Sequence, residues 1–122
     1  MTDILNDPPE SLPLGQLRPA NTTAASLYSP GTNTRTRIRI VMIVNTSTSS
    51  AKFRLFHDDD GTTYDQTTAI FYDAIVPAGT TIEWTPEKLD MMNSSGNIAV
   101  RTDTANAFTF TLYGEEQDKR LN

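Results

Sequence analysis

Thr36-Arg37-Ile38-Arg39-Ile40-Val41-Met42-Ile43-Val44-Asn45 decides the fold class of this chain. Side chains of an extended backbone alternate between two faces, so Ile38, Ile40, Met42 and Val44 are expected on one side while Arg35, Arg37 and Arg39 begin the other. That second face then changes from arginine to Val41 and Ile43. A strand that is apolar on both sides in its second half is covered there either by its own chain or by another copy of it.

Outward from this stretch the same alternation recurs. Strands are predicted over residues 24–28, 35–45, 51–57, 67–76, 80–85, 97–103 and 107–113. The segments between them carry turn chemistry: Ser29-Pro30-Gly31, Asn45 to Ser50, Asp60-Gly61, Pro77-Ala78-Gly79 and Ser94-Ser95-Gly96. Proline fixes φ, glycine permits positive φ, and Ser, Asn and Asp hydrogen-bond their own backbone. In the last segment Phe108, Phe110 and Leu112 alternate with Thr109 and Thr111, which assigns the aromatic face to the core. One helical turn is predicted over residues 86–92, with Thr85 as its cap, Pro86 in the first position and Gly96 beyond its end. Strands at this spacing predict an all-β fold, a single β-sandwich of which the jelly roll is one arrangement.

Composition agrees. The chain has 122 residues, 37% of them hydrophobic and 19 of them threonine, so its apolar mass sits in β-branched and aromatic side chains rather than helix formers. That length suits one domain, burying roughly two-thirds of the surface the unfolded chain exposes. The formal net charge of −5 repels polyanions and argues against nucleic acid or an acidic membrane surface as a partner. There is no cysteine, so stability comes from packing or association. No apolar run reaches membrane-spanning length, and the first residues lack the blocks of a signal peptide, which predicts synthesis as a soluble protein.

Residues 1–23 hold Pro8, Pro9, Pro13 and Pro19 and show no helix or strand period, so they are expected to form an extended N-terminal arm poor at joining a sheet. The arm carries Ile4, Leu5, Leu12, Leu14 and Leu17. These anchors favour docking across a neighbouring subunit over a frayed terminus. Residues 24–114 are then the sandwich, and 115–122 a charged, solvated tail.

Candidate sites are few. His57 beside Asp58 invites a base-and-orienter reading, but no Gly-x-Ser-x-Gly elbow accompanies it, and a strand-end histidine is the plainer reading. No catalytic residue and no cofactor are expected. Asp58-Asp59-Asp60-Gly61-Thr62-Thr63-Tyr64-Asp65 is acidic and turns sharply; Asp58, Asp60 and Asp65 would be its calcium ligands. The spacing departs from an EF-hand, and Asp-Gly between strands is itself a hairpin signal, so a metal-free turn is favoured. Arg35, Arg37 and Arg39 form a ladder suited to carboxylates, within the chain or across a subunit interface, rather than to phosphates. Trp84 and Tyr72 would serve a sugar-binding module if exposed; Trp84 shares a face with Ile82 and is assigned to the core.

The string Ser26-Leu27-Tyr28-Ser29-Pro30, the Arg-Ile strand ending at Val44-Asn45, the Leu55-to-Gly61 turn and the closing Phe108-to-Glu116 segment together resemble small β-sandwich virion proteins of tailed bacteriophages. Such sandwiches serve as capsid decoration (cement) proteins, tail components and fibre heads. The resemblance implies a structural role in the virion after assembly in the host cytoplasm, commonly as a trimer on the major capsid protein where capsomers meet. It implies no active site. A tail or head-to-tail component and a carbohydrate-binding module are the alternatives.

Overall fold

The structure, a computed structural model, describes residues 11–119. Among the described residues nine strands follow in chain order: β1 (Leu12–Leu17), β2 (Ala25–Tyr28), β3 (Thr34–Asn45), β4 (Ala51–Asp58), β5 (Ala69–Val76), β6 (Thr81–Trp84), β7 (Asp90–Met91), β8 (Asn97–Thr102) and β9 (Phe108–Asp118). The first sheet has the order β1-β9-β3-β6, with the short β7 also paired to β3; the second has the order β2-β8-β4-β5. Every pairing is antiparallel. With β7 set aside, the longer strands alternate between two packed sheets as the first, last, third and sixth against the second, seventh, fourth and fifth. That is the jelly-roll order.

The two inner faces meet over an aromatic core. Phe53 on β4 lies 5.7 Å from Phe108 and 5.9 Å from Phe110 on β9, both edge-on, and 5.2 Å from Phe71 on β5. Trp84 on β6 meets Phe71 edge-on at 5.7 Å. Each such contact adds about 0.5–1.5 kcal/mol beyond the area it buries. Ile38, Val41, Ile43, Leu55, Val76, Ile98, Val100 and Leu112 fill the space around the rings.

Asn45, at the end of β3, is a fully buried polar residue whose side chain is fully used. Its amide donates to the carbonyls of Ser49 and Val76 at 2.9 and 2.8 Å, and its oxygen accepts from the Ser47 backbone at 2.9 Å and the Ser47 hydroxyl at 2.7 Å. The connection from β3 in one sheet to β4 in the other is thereby tied to the end of β5.

Four expectations are corrected. Residues 12–17 are not part of a free arm: they form β1, an edge strand on β9, with Pro13 opposite Tyr113 and a register shift between Pro13 and Gly15. Proline is tolerated there because an edge strand need not donate on its open side. The sandwich therefore begins before residue 24. At the other end β9 continues to Asp118, with Arg37 opposite Glu115 and Arg35 opposite Gln117, so residues 115–118 are sheet and not tail. No helical turn forms over 86–92; Asp90–Met91 instead pairs with Thr36 and Arg37, because the Asp90 carboxylate is held by Arg37 and Met91 enters the core.

The fourth correction concerns β3 itself. Its register against β9 shifts between Ile38 and Ile40, a bulge at Arg39. An extra residue reverses the facing of everything after it. Thr36 and Ile38 point inward, but beyond the bulge it is Val41, Ile43 and Asn45 that are buried, while Ile40, Met42 and Val44 are only half-buried on the outer face.

Candidate interaction surfaces

The arginine ladder is largely used within the chain. Arg37 makes a bidentate contact with Asp90, 2.7 Å through Nε and 3.2 Å through Nη2, and holds that carboxyl below its ordinary range. Arg39 reaches Glu115 at 2.9 Å from across the bulge. Arg35 lines a small groove of about 120 Å³ with Arg37, Glu115 and Gln117.

The acidic turn is a cap for its own backbone. Asp58 accepts the backbone N–H groups of Thr63 at 2.8 Å and Asp60 at 3.2 Å, and these donors lower its pKa. Asp65 accepts from the Thr67 hydroxyl and backbone N–H, with the same effect. Among the described residues no group of three or more His, Cys, Asp or Glu side chains converges to hold a metal ion. The segment has a packing role instead: Phe56 and Ala99, paired across β4 and β8, lie on the outer side of the second sheet, and the Tyr64 ring packs 6.0 Å from that of Phe56. His57 is half-buried, its pKa lowered by burial, and its buried Nε2 has no hydrogen-bond partner, neither hydroxyl nor carboxylate.

Of the apolar residues assigned to a partner, Leu14 and Leu17 pack against the chain's own core, whereas Leu12 is 49% exposed. Ile4 and Leu5 lie outside the described residues. Trp84 is half-buried against the core, and Tyr72 is 42% exposed with the Arg54 guanidinium 3.9 Å over its ring.

Sequence reading missed the surface that stands out in three dimensions. On β5, Ile75 is 62% exposed in one row with Tyr72 on the outer side of the second sheet, and Ile70, where the register against β4 shifts a second time, is 40% exposed. The row exists because Asp73 takes a left-handed conformation, φ 55°, at a bulge opposite Arg54. Phe71 and Ala74 can then both pack inward while Tyr72 and Asp73 are both delivered outward. The alternation Ile70-Phe71-Tyr72 was visible in the sequence; nothing in it marked which side the bulge would select.

No protein-family model matches the chain, and no curated protein matches it. Among solved structures, a chain from the structure of infectious bursal disease virus, Gx strain, is similar over 90% of this chain at 15% identity and a TM-score of 0.42. This chain spans 32% of that one's length. The likeness is coarse and assigns neither family nor function.

Proposed function

We propose that this protein is a structural component of a virion, a decoration protein that binds as an oligomer, a trimer in the simplest case, across neighbouring major capsid subunits and stabilises the head. The observation that carries the reading is the group Ile70, Tyr72 and Ile75, exposed on an edge strand. Apolar side chains grouped on the surface of a small soluble domain mark a contact with another protein. Such an edge would also invite a further strand, but the bulge at Asp73 interrupts the ladder, so contact through side chains is favoured. The outward Ile40, Met42 and Val44 of β3 supply a second half-buried surface for self-association. Leu12, with Ile4 and Leu5 before it, is what remains of the arm for reaching a neighbouring subunit.

Jelly rolls occur in capsid and lectin domains alike, so the architecture does not choose between them. The exposed Tyr72 ring is what keeps a carbohydrate-binding module as the second reading. A tail or head-to-tail component differs from decoration only in where the same surface docks.

The test is co-sedimentation of the purified full chain with emptied phage heads stripped of their small proteins. Binding that saturates on heads, and that weakens roughly tenfold or more in Ile75→Asp, is the expected result. Binding to isolated tails alone, or to neither, overturns the decoration reading.

A further inference from the structure

On a chain with a net charge of −5, three cations converge on one side. Arg54 on β4 stands directly opposite Arg101 on β8, and together with Lys52, Asp73, Asp103 and Thr22 they line an open groove of about 270 Å³ on the outer face of the second sheet. Like charges directly opposite one another destabilise a sheet. The chain offsets this only in part. Arg54 is held by Asp73, 2.7 Å through Nε and 3.2 Å through Nη2, and lies over Tyr72. Arg101 donates through Nε to the Thr22 carbonyl at 2.9 Å, which fixes its guanidinium, but among the described residues neither it nor Lys52 is in a salt bridge. Three cations against two carboxylates leave the groove one positive charge in excess.

We propose that this groove binds a carboxylate side chain of an acidic protein segment, with the Arg101 guanidinium and the Lys52 ammonium as the donors. Arginine's planar fork matches a carboxylate, and a guanidinium already fixed through one nitrogen loses less freedom on binding. The excess charge suits one carboxylate, while Asp73 and Asp103 repel a polyanion. A peptide is favoured over an acidic sugar by Ile75, which stands opposite Lys52 at the groove's edge and is the most exposed large apolar residue described. A segment with alternating acidic and aliphatic side chains would use both features. The inference deepens the proposed function by naming the partner's chemistry, and rests on it for the partner's being a protein.

The experiment is an NMR titration of the isotopically labelled full chain with the blocked peptide Glu-Ile-Glu-Val-Glu, its all-glutamine counterpart, oligogalacturonate and a short oligothymidylate. The expected result is that the acidic peptide alone shifts the signals of Lys52, Arg54, Arg101 and Asp103, and that Arg101→Gln weakens it roughly tenfold or more with the remaining spectrum unchanged. Lys52→Gln, at an exposed position, is the second variant should Arg101→Gln disturb the fold, and it too is expected to weaken binding. No shift, equal shifts with the glutamine peptide, preference for the sugar or the oligonucleotide, or undiminished affinity in the variants overturns the proposal. Peptide binding with no attachment to heads would count against the virion reading alone.

Discussion

The Tyr28 hydroxyl lies 2.6 Å from the Thr36 hydroxyl, a buried hydrogen bond that joins β2 of one sheet to β3 of the other. Tyr28 also donates to the Glu116 carboxylate on β9, directly across from Thr36, so Thr36 is left to donate to Tyr28. Burial and the carboxylate raise the pKa of the phenol, which stays protonated and keeps its donor. Tyr28→Phe leaves the fully buried Thr36 hydroxyl without its partner and is expected to destabilise the protein by about 1–2 kcal/mol. In a double-mutant cycle with Thr36→Val, urea denaturation should show that the two losses are not additive; strict additivity would mean the bond contributes nothing.

Asn45→Ala should be more damaging, by about 2–4 kcal/mol, since it removes a fully buried side chain, the donor to the Ser49 and Val76 carbonyls, the second of these bonds being buried, and the acceptor of the Ser47 hydroxyl and backbone N–H. Equilibrium unfolding in urea checks this. A loss below about 0.5 kcal/mol, the range of ordinary surface substitutions, would show that the loops hold without it.

Gly114 sits where β9 passes the bulge of β3, and a Cβ there would lie 2.4 Å from the Arg37 carbonyl oxygen and 3.1 Å from Leu14 Cδ1. Gly114→Ala forces backbone apart and is expected to destabilise by about 2 kcal/mol or more. Gly79 is the contrast: φ is 68° and nothing lies within 4 Å, so Gly79→Asn, a residue that tolerates that conformation, should be nearly neutral. Thermal denaturation of the two variants should rank them in this order.

Acid should lower the protein's stability in two stages. His57 has a pKa lowered from 6.5 by burial, so as pH falls through that value the unfolded chain takes up a proton that the folded chain does not, and stability begins to drop. Asp58, Asp65, Asp73 and Asp90 are lowered from 3.8 by their donors, so their contribution is present above that value and is lost as pH falls through the folded-state pKa values. Urea midpoints should decline gently below 6.5 and steeply below 3.8, and His57→Gln should remove the first decline only. A midpoint that rises on acidification from about pH 7 to about pH 5 would contradict the sign of the His57 shift.

What the sequence revealed and what it hid follow from where the physical signal lay. Phe108, Phe110 and Leu112 announced their face because nothing interrupts their alternation, and the turn residues bounding the strands act locally. The bulge at Arg39 was hidden because both phases of Ile40-Val41-Met42-Ile43, the stretch after it, are apolar. Its clue sits on the partner strand, at Gly114, whose place opposite Ile38 depends on tertiary pairing. Leu12 and Leu14 did alternate, but Pro13 between them outweighed that signal until an edge position was known. The acidic start of residues 115–118 matched the arginine ladder in charge, and only the register shows Glu115 opposite Arg37. The groove of Lys52, Arg54 and Arg101 joins residues of two strands far apart in the chain, and no local spacing marks it.

The central claim, the proposal that the protein decorates a viral head, is tested most directly by counting it in purified virus particles. A decoration protein follows the coat lattice, where closed oligomers meet equivalent neighbours. Quantitative gel densitometry should therefore give a copy number comparable to that of the major capsid protein, with the band and the particle's heat resistance lost together on stripping. A faint band that travels with isolated tails, or no band at all, would contradict the claim.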